Sequence, residues 1–376
     1  MAEPFKNLIN AEVVRLMRRH LQRAWAGFDG ARFEALGGHG LESLELKARA
    51  RHLCVALEAT LPADFEAAAA VIEASLAPAP GDEDLSALRT SDHGLAGWAV
   101  WPLAEFVAVR GLATPERALQ VLHAITQRFT AEWAVRPFIV EHPALAFETL
   151  HRWARDASPH VRRLASEGSR PRLPWGVQLK GLIADPSPTL PLLAALQDDE
   201  SEYVRRSVAN HLNDIAKDHP ALVADWIETH LPEAAPERRA LLRHASRTLI
   251  KRGDARVLKA WGLGRRLAGE ATLVVSPKRV VLGGTVELSL TLHSTAKRTQ
   301  KLAIDYAVHH VKADGRASAK VFKGWLLELA PGETRELVKR HSMRPVTTRR
   351  YHAGRHGVDL RINGEVRAEG AFDLKL

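Results

Sequence analysis

Three carboxylates stand out in the chain: Glu132 in "TAEWAVRPF", Glu167 in "VRRLASEGSRPRLPW" and Asp214 in "SEYVRRSVANHLNDIAKDHP". Glu167 follows Arg163 by one helical turn, and Asp214 follows Arg206 by two. A preorganised carboxylate can stabilise positive charge or orient a water. The plainer reading of any one such pair is a surface ion pair worth about 0.3–0.5 kcal/mol. Recurrence of the pattern weighs against that plainer reading. Arg206, Asn210 and Asp214 recur every four residues on one helical face, beside a buried stripe of Val204, Val208, Leu212 and Ile215. A surface helix needs charge, but it has no need to align a guanidinium, an amide and a carboxylate. Trp175 closes the loop "RPRLPW", which two prolines stiffen. Such a ring can pack on a sugar or base beside a basic groove, or it can anchor the loop under the next repeat.

Other chemistries are absent from the motifs. None of the 18 histidines forms a pair with zinc-protease spacing, and His309 and His310 alternate in a strand-like run and cannot chelate together. There is no P-loop, dinucleotide fingerprint or nucleophile elbow. The single cysteine, Cys54, excludes an internal disulfide and a thiolate metal cluster. No metal and no cofactor are expected.

The elements that must position these residues come in two kinds, so the expected fold is multidomain. Residues 1–264 read as an all-α, HEAT-like solenoid, with apolar residues every three or four positions and breaks at "TPER", "SPH", "HPAL" and "APER". "SPHVRRLAS" at Ser158 returns as "SEYVRRSVA" at Ser201, 43 residues later, and "HPAL" returns after 77. A period of about 40–47 residues with two helices per unit marks stacked helical repeats. The repeat aligns Arg163 with Arg206 and Glu167 with Asn210, which would place both rows along one concave groove. Residues 265–376 alternate apolar with polar and are punctuated by Gly-Gly, Asp-Gly, Pro-Gly and Asn-Gly. About seven short strands in that length suit an all-β, immunoglobulin-like sandwich.

Charge separates the two parts. The chain of 376 residues has a formal net charge of +9. Residues 265–376 hold 21 Lys/Arg against 11 Asp/Glu, whereas residues 1–264 hold 32 against 33. A polyanion is the natural partner for the basic part; a solubilising surface is the bland alternative. Between Arg335 and His356 seven basic residues meet one acid, and Arg349, Arg350 and Arg355 surround the turn "RRYHAGRHG". These three are expected to grip phosphates or a narrowed minor groove, from the side opposite the solenoid groove. With no run of roughly 18 apolar residues and no signal-peptide core, no membrane contact is expected and the cytosol is the expected compartment. A monomer is the expected state.

The blocks "HVRRLASEGSRPRLPW" and "SEYVRRSVANHLNDIAKDHP" resemble the AlkC-type DNA alkylation repair glycosylases of the HEAT-like superfamily, as do "FKNLIN", "GLESLELKAR", "LPADF", "GLAGWAVWPLAEFV" and "QRFTAEWAVRPFI". The resemblance spans about residues 4–262, and some members carry an immunoglobulin-like C-terminal domain. It implies a DNA N-glycosylase of base excision repair acting on double-stranded DNA. The bases removed would be cationic and N3-methylated, chiefly 3-methyladenine and also 3-methylcytosine. It further implies that the base is not flipped into a pocket. By that resemblance the active-site carboxylates fall on Glu132, Glu167 and Asp214, the sugar-contacting tryptophan on Trp175, and a supporting groove residue on Arg163. The row of Arg206, Asn210 and Asp214 would then face a DNA backbone and the damaged nucleotide's sugar. The alternative is a non-catalytic helical scaffold that binds DNA or protein.

Overall fold

Proline punctuates the helical part. Helices begin at Pro115, Pro143, Pro159, Pro220 and Pro236, the five positions marked by "TPER", "HPAL" (twice), "SPH" and "APER". Proline suits a first helical position because its missing N–H has no intrahelical partner there and its φ is preset. Sixteen α-helices occur among the residues described by this computed structural model, which are 4–80, 85, 88–346 and 349–376. The helix Glu202–Ile215 buries Val204, Val208, Leu212 and Ile215 as its spacing requires, and it packs against the equivalent helix of the preceding repeat, Pro159–Gly168.

Among the described residues eight strands follow rather than about seven: β1 (Gly269–Ser276), β2 (Arg279–Val281), β3 (Thr285–Ser294), β4 (Gln300–Val311), β5 (Ala317–Leu329), β6 (Thr334–Ser342), β7 (Gly354–Ile362) and β8 (Glu365–Lys375). The additional one, β2, has three residues and pairs in parallel with β8. One sheet has the order β1-β3-β6 and the other β2-β8-β7-β4-β5, an immunoglobulin-like sandwich. Between them lie Val286, Leu288, Leu290 and Leu292 of β3 against Tyr306, Val308, Val358 and Leu360 of β4 and β7. At the β7–β8 turn both Asn363 (φ 50°) and Gly364 (φ 86°) have positive φ, the backbone that an Asn-Gly hairpin turn supplies.

The last helix ends at Ala260 and the first strand begins at Gly269, but contacts divide the chain elsewhere. One compact unit holds Met1–Asp218 with Ala235–Ala245, and the other holds His219–Ala234 with Ser246–Leu376. The helices Pro220–His230, Arg247–Arg252 and Ala255–Ala260 therefore belong with the sandwich. No helix among the described residues is long and apolar enough to cross a membrane.

The sandwich also buries histidines. His310, His341 and His356 are 5%, 7% and 0% exposed. Burial, with Arg349 adding to it, pulls His310 down to about 3 and His341 to about 4, and also lowers His356. A histidine whose folded pKa lies below its unfolded value of about 6.5 leaves the unfolded state binding more protons as pH falls. Stability is therefore full above pH about 6.5 and declines below it, by about 1.4 kcal/mol per histidine for each pH unit. Thermal unfolding followed between pH 7.5 and 5 should show a falling midpoint. A flat profile would mean that these rings are not buried neutral.

Candidate active site

Six side chains of the helical unit form a row of alternating charge. Glu132 lies in the turn before the helix Arg136–Glu141 and meets Arg163 Nη1 at 2.6 Å. The Thr130 hydroxyl donates to Glu132 (2.8 Å) and accepts from Arg163 (2.8 Å). Arg163 Nη2 stands 3.5 Å from Glu167 across one helical turn, and its guanidinium lies 5.1 Å over the Tyr203 ring. Glu167 in turn meets Arg170 Nη1 at 2.6 Å and accepts from the Ser207 hydroxyl at 2.6 Å. Arg170 donates through Nε to Asp214 Oδ2 at 2.8 Å, and Lys217 Nζ donates to Asp214 Oδ1 at 2.7 Å. The order is thus Glu132, Arg163, Glu167, Arg170, Asp214, Lys217.

Burial explains the alternation. The side chains of Glu167 and Arg170 are 7% exposed and that of Asp214 is 2%, and a charge so far from water must be paired. Burial pushes the Glu167 carboxyl up, but Arg163 and Arg170 beside it, with the Ser207 hydroxyl, outweigh this and hold it below the usual carboxylate range. His211, with Nδ1 2.9 Å from the Ser166 carbonyl, is pulled down to about 3 by burial and then by Arg170. It is a neutral neighbour at physiological pH. The close approach of the two acidic segments depends on Gly168, where a Cβ would stand 2.4 Å from Val135 Cγ1.

The loop after Gly168 carries both Arg170 and Trp175. Trp175 has φ 63°, a left-handed conformation that costs a bulky residue roughly 1–2 kcal/mol. Three side chains hold the loop there. Arg136, 1% exposed, donates to the carbonyls of Gly168 and Arg170 at 2.8 Å each and through Nε to that of Val177 at 2.7 Å. Burial draws Arg136 down to about 10, so it stays charged at neutral pH. Lys47 Nζ donates to the Trp175 carbonyl at 2.8 Å, and Trp133 Nε1 donates to that of Pro174 at 3.2 Å. The Trp133 ring also stacks under Trp175 at 6.4 Å and over Trp101 at 4.5 Å. Trp175 is 59% exposed. It is displayed to solvent rather than tucked under the next repeat.

The sequence-predicted residues separate into groups. Glu132, Arg163, Glu167 and Asp214 come together. The row along the helix Glu202–Ile215 does not behave as one set: Arg206 is exposed, Asn210 is half-buried against His244 (2.9 Å), and Asp214 is buried. The partners of Asp214 are Arg170 and Lys217, not Arg206, because the segment after Gly168 brings Arg170 across to the helix. Arg349, Arg350 and Arg355 belong to the sandwich unit. Arg349 is engaged with His310 Nε2 and lies 5.9 Å over the Tyr351 ring, Arg350 is exposed, and Arg355 is an exposed residue of β7 in register with Asp373. Arg170, Arg136, Ser207, Lys217 and Trp133 escaped the sequence reading. For Arg170 and Lys217 a signal existed, since each lies three residues after an acid. Among the described residues no group of three His, Cys, Asp or Glu could hold a metal ion.

Comparisons with known proteins agree with this architecture. A family model described as "DNA alkylation repair enzyme" matches residues 126–249, which contain the six-residue row. Another, described as "Uncharacterised protein YhaZ, C-terminal Ig-like domain", matches residues 270–376. The chain is 38% identical over 378 aligned residues to "Uncharacterized protein YhaZ" of Bacillus subtilis (strain 168), covering 98% of this chain and 99% of that one. A solved structure, Pseudomonas fluorescens alkylpurine DNA glycosylase AlkC bound to DNA containing an abasic site analog, superposes with a TM-score of 0.90 at 35% identity and covers 100% of both chains. Matched along its whole length, the chain belongs to the AlkC-type DNA alkylation repair glycosylases and is a DNA glycosylase with a C-terminal immunoglobulin-like domain.

Proposed function

We propose that this glycosylase acts in the cytosol on double-stranded DNA, excising cationic N3-alkylated bases, 3-methyladenine and 3-methylcytosine, without flipping them. The observation that carries this reading is the carboxylate row ending at Asp214, in the same unit as an outward-facing Trp175. A base methylated at N3 already carries positive charge, so it leaves with the bonding electron pair as a neutral molecule and needs no general acid. The demanding event is the growth of oxocarbenium character on the sugar as the C1′–N bond lengthens. A carboxylate placed beside C1′ stabilises that charge and orients the water. The water oxygen then bonds to C1′, its proton passes to a carboxylate, and an abasic sugar remains. Asp214 is assigned this role, with Glu167 and Glu132 extending the negative field.

Asp214 is covered on Oδ1 by Lys217, whose side chain is 38% exposed. On this reading a DNA phosphate draws the Lys217 ammonium away and uncovers Oδ1, while Arg170 keeps Oδ2 in place. Arg163 supports the row, Arg206 and Asn210 meet the backbone, and Trp175 packs on deoxyribose. Arg350 and Arg355 supply phosphate contacts from the sandwich, with Arg349 held more tightly by His310 and Tyr351.

Replacing Trp175 with Ala should slow base release by about 5- to 150-fold, equivalent to about 1–3 kcal/mol of aromatic contact. The melting temperature should change little, because the ring is mostly exposed. A large fall in melting temperature with normal turnover per folded molecule would instead make Trp175 a loop anchor. The substrate assignment is tested by incubating the enzyme with methylated duplex DNA and identifying the released bases. Release of 3-methyladenine and 3-methylcytosine, with neutral modified bases retained, is the expected outcome. Comparable release of neutral bases would contradict it.

A further inference from the structure

The sandwich has a second concentration of positive charge that neither the row nor Arg349–Arg355 accounts for. A cleft of about 680 Å³ lies between the entry to β1 and the β3–β4 connection. Arg265, Arg266, Lys297, Arg298 and Lys301 line it, and no carboxylate does. Arg266 reaches Glu365 at 2.6 Å and Lys301 reaches Glu328 at 3.8 Å, both acids lying outside the lining. Among the described residues no ion pair appears for Arg265, Lys297 or Arg298. Like charges crowded into a concave surface repel unless an anion completes them.

The walls are built, not loose. The Gln300 amide donates to the Ala268 carbonyl (3.0 Å) and the Ser294 hydroxyl (2.9 Å), and its oxygen accepts from Ala268 N–H (2.8 Å). Asn363, 7% exposed, donates to the carbonyls of Arg265 (2.8 Å) and Lys301 (3.1 Å) and accepts from Ala303 N–H (2.8 Å). These two amides fix both loops before any ligand arrives, which lowers the entropic cost of binding.

We propose that this cleft binds consecutive backbone phosphates of the DNA duplex, and that it is a principal phosphate contact of the sandwich. The proposal rests on the reading that the chain holds duplex DNA. Geometry separates it from the Arg349 cluster. β4 runs from Gln300 at the cleft to His310 beside Arg349. At about 3.3 Å per residue the two clusters lie roughly 30 Å apart along one strand. They cannot share a phosphate, so their contributions are separable.

The test is the salt dependence of duplex binding, read by fluorescence anisotropy on full-length protein. Three proteins are compared after a circular-dichroism check of folding: the parent, R265A/K297A/R298A, and a control with three exposed lysines removed elsewhere on the sandwich, K278A/K312A/K323A. Each phosphate contact contributes about 0.9 to the log–log slope. The cleft variant should therefore lose about 2–3 from the slope and bind at least roughly 10-fold more weakly at low salt, while the control loses less than about 1. An unchanged slope in the cleft variant, or an equal loss in the control, would overturn the proposal. A parent that fails to bind duplex DNA at all would overturn the DNA reading itself, and the cleft's role with it.

Discussion

Asp214→Asn is expected to reduce release of 3-methyladenine by about 10²-fold or more while leaving DNA binding close to that of the parent. That is the scale of losing one preorganised electrostatic group. The amide keeps the shape of the carboxylate but offers a neutral oxygen to a cationic sugar. It also leaves Arg170 and Lys217, which meet Asp214 at 2.8 and 2.7 Å, without a compensating charge. Some loss of stability will accompany the loss of turnover, so the comparison is made per folded molecule under single-turnover conditions. Near-normal release would move the role to Glu132 or Glu167.

Removal of Arg170 is expected to have the largest effect on stability. This guanidinium bridges Glu167 and Asp214, with all three side chains at most 7% exposed. Breaking a buried pair typically costs about 3–5 kcal/mol, because the partner is left as an uncompensated buried charge. Arg170→Ala strands two carboxylates at once, although Arg163 and Lys217 remain to each side. Arg170→Lys should recover only part of the loss, since a single ammonium cannot reproduce a planar fork that donates to both acids. The acid response should also shift. The depressed pKa of Glu167 contributes stability above its unfolded value of about 4.3, and this is lost as pH falls through the folded value. Without Arg170 that depression shrinks, so less stability remains to be lost on acidification. Urea denaturation at neutral pH tests the first point. An Arg170→Ala protein within about 0.5 kcal/mol of the parent would mean that the bridge carries no stability.

The five helix starts at Pro115, Pro143, Pro159, Pro220 and Pro236 were legible because each is a local proline event, and the hairpin turns because Asn363-Gly364 and its counterparts are local backbone events. The pairing of Arg163 with Glu167 follows from one helical turn. Arg170 was not assigned, because it lies beyond the helix end and meets Asp214 across 44 residues. Arg136 looks like an ordinary surface cation until the loop wraps over it. The division into compact units was equally invisible: "HPAL" at His219 opens a helix like any other, yet that helix packs on Ala255–Ala260 and falls in the unit that contains the sandwich. β2 was missed because three residues carry too little alternation to read as a strand. For the link from Arg170 to Asp214, the burial of Arg136 and the division into units, the missing information is a long-range contact that no spacing rule encodes.

The proposed catalysis turns on stabilisation of a cationic sugar as the C1′–N bond breaks. It is tested most directly by a secondary isotope effect at C1′. Single-turnover release of 3-methyladenine is measured from duplexes carrying hydrogen or deuterium at C1′ of the lesion. If C1′ flattens toward an oxocarbenium ion as the bond breaks, the deuterated duplex should react measurably more slowly. Equal rates, with bond cleavage independently established as the slow step, would contradict a dissociative transition state and the role assigned to Asp214.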